Sequence, residues 1–360
     1  MMPRVVVAEV RVLLHGAVRG PVGVRPSDRH TTVLLLEALD DEGSPQVEGR
    51  THDPAAPEVH GGVMEAVTQA REGRGEPGSW SGCDARTLVV RRLGMSDIEI
   101  SRPRTGVVQL TMNRPDKLNA MTSGMVEELH SAIRQVGQDR TCRVVVLTGA
   151  GRGFCAGLDL NGYGDAPGFR WDGRVEKGLA VQKHIASLIP ALRSMPQPVI
   201  AAVNGPAAGG GFALVLGSDI RLAAESARFN AAFIRIGLSA CDIGTSWLLP
   251  RLVGAARAQE LMLTGRIFDS AEAARIGLVV EVVPGEALLE AAYAKAEEIM
   301  LNTPLGVALT KEGMWSALEI PGLQAAIDLE NRQQIMASFS SDAAEARAAR
   351  AEKRAPDYRS

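Results

Sequence analysis

The chain has 360 residues, 46% hydrophobic and 22% charged, enough to bury one large or two modest cores. A formal charge of −3 gives no reason to expect nucleic acid, and no apolar stretch approaches membrane-spanning length. Cys83, Cys142, Cys155 and Cys241 are scattered without metal-ligand spacing, so the sequence predicts no metal, reduced thiols and, with no secretory pattern at the start, a cytoplasmic protein.

Residues 1–94 contain no Lys, Ile, Phe, Tyr or Asn, while Arg, Gly, Val, Ala and Pro abound. The missing types are largely those of AT-rich codons, the pattern of translated upstream sequence from a GC-rich genome. Four histidines lie here (His15, His30, His52, His60) without ligand spacing. The expectation is a disordered extension or a mis-assigned start, with Met95 the natural beginning. A chain starting at Met95 should then match the full chain in melting temperature and oligomer size.

From Met95 the pattern becomes that of a folded α/β domain, with a core to about residue 290 and a helical part over about 291–360. Ile98–Ile100 and Val107–Thr111 alternate as strands joined by Arg102–Gly106. Asn113–Ala120 is a polar turn. Thr122 or Ser123 caps a helix with the apolar stripe Met125, Leu129, Ile133 and Val136. Val144–Leu147 is a buried strand, and Asn161–Gly173, with Trp171, reads as a mobile loop. His130 and His184 sit on helical patterns and read as surface or satisfied core. Gly254–Leu263 is helical, Asp269–Glu272 starts another helix, and Asp342–Arg354 is a charged terminal helix.

The chemistry concentrates in two glycine turns. Val199–Val203 is a short β-branched run broken by Asn204-Gly205-Pro206, after which Gly209-Gly210-Gly211 runs into the apolar Phe212–Leu216. A strand, glycine turn and buried helix leave free N–H groups at the helix start, suited to a developing negative charge. Neither the phosphate-loop Lys-Ser/Thr nor the dinucleotide GxGxxG is present. The second turn, Thr148-Gly-Ala-Gly-Arg-Gly-Phe-Cys-Ala-Gly-Leu-Asp-Leu160, also follows a strand. Two such turns could offer two N–H groups to one carbonyl oxygen, the arrangement of an oxyanion hole.

From about Met95 to Ser360 the chain resembles the enoyl-CoA hydratase/isomerase (crotonase) superfamily. The matching blocks are Asn113–Ala120, Gly153–Asp159, Ala202–Gly211, Ser218–Arg221, Leu263–Arg266 with Ala271–Val280, and Glu352–Pro356. The resemblance implies a spiral of ββα units with C-terminal helices that assemble as homotrimers or paired trimers. It implies an acyl-CoA thioester substrate, with coenzyme A part of the substrate and no separate cofactor. The thioester oxygen would be held by the N–H groups of Leu158 and Gly210. Lys117, Leu118, Ala120, Ala156, Asp159 and Leu160 would line the CoA chain, and Gly209 and Phe233 would also contact the CoA substrate. Lys353 would reach a phosphate, within its own chain or across a subunit interface. The family often has an aromatic where Arg350 stands.

The same resemblance places the two hydratase glutamates at Ala213 and Phe233, neither of which exchanges a proton. The remaining acid is Asp242, which, counting back from Thr245, falls where dienoyl-CoA isomerases and 4-chlorobenzoyl-CoA dehalogenase carry a catalytic aspartate. Leu238, Cys241, Ile243 and Trp247 around it would desolvate it and raise its pKa. Its other reading is the N-cap of the following helix. The expected function is therefore isomerase- or hydrolase-like chemistry on an acyl-CoA rather than ordinary hydration. The alternative is a catalytically silent acyl-CoA binder.

Overall fold

The computed structural model describes residues 96–160, 163, 166–168 and 173–358. The expectations for residues 1–94, for a start at Met95 and for the loop around Trp171 lie outside the described residues. A hairpin of β1 (Ile98–Arg104) and β2 (Val107–Met112) leads through a 3-10 turn at Pro115–Lys117 to α1 (Ser123–Gln138). β3 (Val144–Gly149), α2 (Arg174–Ala186) and α3 (Leu188–Ser194) follow, then β4 (Val199–Val203), β5 (Pro206–Ala208) and α4 (Gly210–Gly217). β6 (Ile220–Ala224), β7 (Arg228–Asn230), a 3-10 turn at Ala232–Ile236 and α5 (Thr245–Val253) come next. After α6 (Ala255–Thr264), β8 (Phe268–Asp269), α7 (Ser270–Arg275) and β9 (Glu281–Val283), the chain ends in four helices. They are α8 (Leu288–Met300), α9 (Pro304–Ala317), α10 (Leu323–Ser338) and α11 (Ser341–Glu352).

The large sheet has the order β1-β2-β3-β4-β6-β9, parallel except for the β1–β2 hairpin. β1 runs on through Arg104 where a connection was expected, with a register shift between Ser101 and Arg104 that bends the edge strand. β3 and β4 are buried on every residue because both faces are covered, which is why they read as continuous apolar runs. Val144, Val146, Ile200, Ala202 and Leu222 pack on one side against Leu288, Ala292 and Ala296 of α8. Val145, Leu147, Val199 and Ala201 face the larger core with α1, α3 and α4.

β5, β7 and β8 form a second, three-stranded sheet. The repeat that makes the spiral is visible in the hand-over between the sheets. β4 passes to β5 and then to α4; β6 passes to β7 and then to α5. β3 does the same through an isolated bridge of Cys155 to Ala207 before α2.

The C-terminal helices are tied to the body by a buried cation. Lys311 of α9, 7% exposed, sits 2.8 Å from Asp219 and donates to the carbonyls of Leu192 and Gln197 at 3.0 and 2.9 Å. Trp315 Nε1 donates to the other Asp219 oxygen at 2.9 Å. Burial pushes the Lys311 amine down, against the pull of Asp219. By contrast, α10 has no buried residue, and Leu323, Ile327, Ile335, Met336 and Phe339 of this region are exposed.

Candidate active site

Two asparagines fasten the glycine turns together. Asn119, fully buried and left-handed at φ 57°, donates from Nδ2 to the carbonyls of Ala150 and Gly153 at 3.0 and 2.8 Å. Its Oδ1 accepts from Arg114 N at 2.8 Å. Asn204, just past β4, donates to Gly149, Gly151 and Gly153 at 2.8, 2.9 and 3.2 Å. Both side chains meet on Gly153 O, so the turn after β3 and the turn after β4 move as one piece. The sequence places both in turns without showing that they tie them; the signal is Asn after Lys-Leu in one turn and Asn opening the other, where Asn accepts turn geometry and supplies its own donor.

The turns also touch directly. A Cβ at Gly211 would stand 2.1 Å from Cys155 O, and one at Gly157, where φ is +97°, 2.9 Å from Ala208 O and 3.6 Å from Gly210 N. No side chain fits between them. Met121 N donates to Gly157 O at 2.7 Å and accepts at its own carbonyl from Asp159 N at 2.9 Å. This parallel bridge uses the atoms flanking Leu158, so the Leu158 N–H points away from Met121. Gly210 opens α4, whose first intrahelical bond is Ala213 N to Gly209 O at 2.9 Å, leaving the Gly210 N–H among the orphan donors of the helix start. Among the described residues, neither Leu158 nor Gly210 donates its N–H to a protein acceptor.

The ring of Phe233 comes within 3.5 Å of a Cβ built at Gly209, and Ile243 Cδ1 within 3.3 Å of one built at Gly210. Asp242 therefore sits one residue from the side chain that closes over the glycine turn. It is half-buried. Its carboxylate accepts from Gln182 Nε2 of α2, and burial pushes it up beyond what the neighbouring Ile243 N–H and that bond pull it down. The N-cap reading of Asp242 does not hold for its side chain: the cap position of α5 is Gly244, with no side-chain cap bond. Only the Asp242 carbonyl serves the turn, accepting from Thr245 N at 2.8 Å. The turn is unusual in its backbone, because the β-branched Ile243 is left-handed at φ 46° before Gly244 at 77°. Gln182 carried no signal in the sequence, being a polar residue on a helix 60 positions away.

Of the other expected residues, Leu118, Ala120, Ala156, Asp159 and Leu160 lie on two segments that hydrogen-bond to each other, with Ala156 N donating to Leu118 O at 2.9 Å. Lys117 ends the 3-10 turn in the same segment and is exposed. Asp159 is held 3.1 Å from Arg114, which also donates to Ala120 O, so one cation ties the two segments together. Leu160 is exposed. Lys353 is not brought to these residues within the chain; it is the exposed, left-handed cap of α11. His130 and His184 pair across α1 and α2 with ring centroids 5.4 Å apart. Glu127 Oε1 lies 2.9 Å from His184 Nε2 but off the hydrogen-bond direction, and burial pushes His184 down. Cys155 is buried, its thiol pushed up to about 12 by desolvation, and no described residues cluster as metal ligands.

The profile of the Enoyl-CoA hydratase/isomerase family matches residues 102–360. The chain belongs to the enoyl-CoA hydratase/isomerase family. The probable enoyl-CoA hydratase EchA12 of Mycobacterium tuberculosis is 44% identical over 277 residues, covering 77% of this chain and 97% of the relative. The 1,2-epoxyphenylacetyl-CoA isomerase of Escherichia coli is 39% identical over 269 residues, 73% of this chain and 99% of its own. A probable enoyl-CoA hydratase/isomerase from Mycobacterium abscessus of solved structure superposes with TM-score 0.69 at 39% identity, covering 73% of this chain and 99% of its own. The crotonase fold expected from the sequence is thus the fold of this enoyl-CoA hydratase/isomerase family member. At the two positions that the resemblance gives to hydratase glutamates stand Ala213, buried inside α4, and Phe233, buried against Gly209.

Proposed function

We propose that this family member binds an acyl-CoA thioester at the paired glycine turns and shifts a double bond in the acyl group. The N–H groups of Leu158 and Gly210 hold the thioester oxygen and stabilise the enolate that forms. Asp242 takes a proton from one acyl carbon and returns it to another, so the substrate is isomerised with no net change in atoms. Lys117, Leu118, Ala120, Ala156 and Leu160 line the CoA chain, while Phe233 fills the place of a water-positioning acid. Lys353 serves a phosphate from a neighbouring subunit of a trimer or paired trimer, and the protein works in the cytoplasm.

One observation carries this reading. The carboxylate of Asp242 is half-buried, unspent on capping, and one residue from the Ile243 side chain that covers Gly210. An aspartate committed to the helix start would have favoured a silent binder. The test is Asp242→Asn assayed on trans-3-hexenoyl-CoA for conversion to the 2-enoyl isomer. Turnover should disappear while acyl-CoA affinity stays near wild type. Undiminished turnover in a well-folded Asn variant would remove Asp242 from the mechanism.

A further inference from the structure

We infer that Gln182 is the positioning residue for Asp242, holding one carboxylate oxygen so that the other faces the acyl carbons. The inference rests on the reading of Asp242 as the proton-transfer group.

α2 is exposed from Arg174 through Leu179 and first meets the body around Val181 and Ile185. Gln182 stands at that boundary, where an amide would ordinarily face water, and instead donates Nε2 to Asp242 Oδ1 from 60 residues away. No basic side chain among the described residues lies within ion-pair distance of Asp242. The nature of the donor matters. A guanidinium or ammonium would orient the carboxylate but also lower its basicity; a neutral amide orients it with a much smaller loss. With Gln182 bound to Oδ1, an ionised carboxylate still has acceptor sites to take a proton. The turn behind it is not self-supporting, since Ile243 holds a left-handed conformation that β-branched residues resist. A bond from α2 is the long-range brace for that turn.

The other titratable groups nearby on these two elements are Cys241, Lys183 and His184. Cys241 and Lys183 are exposed, and His184 bears on Glu127 of α1. None of them is hydrogen-bonded to Gln182, so the comparison of wild type with Gln182→Leu reads Asp242.

The experiment follows α-proton exchange of trans-3-hexenoyl-CoA in deuterated water by mass spectrometry, against pH, for wild type, Gln182→Leu, Gln182→Glu and Asp242→Asn. Gln182→Leu should lower saturated exchange about 10- to 100-fold, the scale of one hydrogen bond to a charged group, with KM within about twofold. Its acid limb should move to higher pH, because burial of Asp242 is then less opposed. Gln182→Glu should recover activity at low pH, where its protonated carboxyl donates as the amide did, and lose it as the second carboxyl ionises. Wild-type pH profiles in both Gln182 variants, with Asp242→Asn inactive, overturn this inference alone. Full exchange in Asp242→Asn overturns the proposed function and this inference with it. If Gln182→Leu does not fold, the Gln182→Glu profile decides.

Discussion

The Asp242 carboxyl is raised by burial, and the sign of its effect on stability follows from that. Its folded pKa lies above the unfolded value of about 3.8, so the folded state holds the proton more tightly. The stabilisation is present below the unfolded pKa and is lost as pH rises through the folded one. Near neutral pH the ionised Asp242 therefore weighs against the fold. Asp242→Asn should melt no lower than wild type there, in a thermal scan followed by circular dichroism, and the advantage should vanish in acid. A melting point well below wild type at neutral pH would show that the carboxylate stabilises the turn. The missing glutamates make a second prediction. General acid–base groups contribute about 10² to 10⁴ in rate, so hydration of crotonyl-CoA should fall at least that far below an ordinary hydratase. Turnover at ordinary hydratase levels would place another acid–base pair in the site. At this scale the sequence was readable where a residue type is compulsory. Gly157 and Gly211 admit no side chain, and Ala213 and Phe233 stand in fixed register to the glycines. It was silent on Gln182, because a side-chain contact between distant helix and turn leaves no periodicity behind.

The unit of the site is the strand, turn and helix built from β4 and α4, clamped to the turn after β3. Gly211→Ala pushes a methyl against Cys155 O, where the Cβ would stand at 2.1 Å, and should lower stability by about 1–3 kcal/mol in urea melts. It should also separate the two N–H donors and weaken acyl-CoA binding in parallel. An Ala variant with wild-type stability and affinity would mean that the turns can part without consequence. These elements were legible because Val199–Val203 and Phe212–Leu216 are apolar runs punctuated by Asn-Gly-Pro and three glycines. The end of β1 was not legible: Arg102-Pro-Arg reads as a break, yet an edge strand tolerates proline and a register shift absorbs it. The Lys311–Asp219 contact escaped as well, since a lysine in a helix reads as solvent-facing until its burial is seen. Lys311→Ala should lose about 3–5 kcal/mol, as a half-buried acid is left without its cation and two carbonyls without their donor. Adding Asp219→Asn should restore much of that loss in the same melts.

On the scale of the whole molecule, α9 is anchored by Lys311 while α10 lies open. Leu323 and Phe339, 77% and 85% exposed, flank a helix with no buried residue, which is the surface expected of a subunit contact. The expected partner of this face is a second copy of the chain. Leu323→Glu with Phe339→Glu should shift the sedimenting species towards monomer, and an unchanged sedimentation coefficient would place the contact elsewhere. The sequence made these helices visible through composition but not which face would remain uncovered, because packing against the body depends on partners far apart in the chain. The uncovered face also bears on how the protein is degraded. A helix whose outer face is covered only by a neighbour is open to cleavage in proportion to the fraction of free chains. Trypsin should therefore cut at Arg332 faster as the protein is diluted, while Arg143, between α1 and β3, is cut at a rate indifferent to concentration.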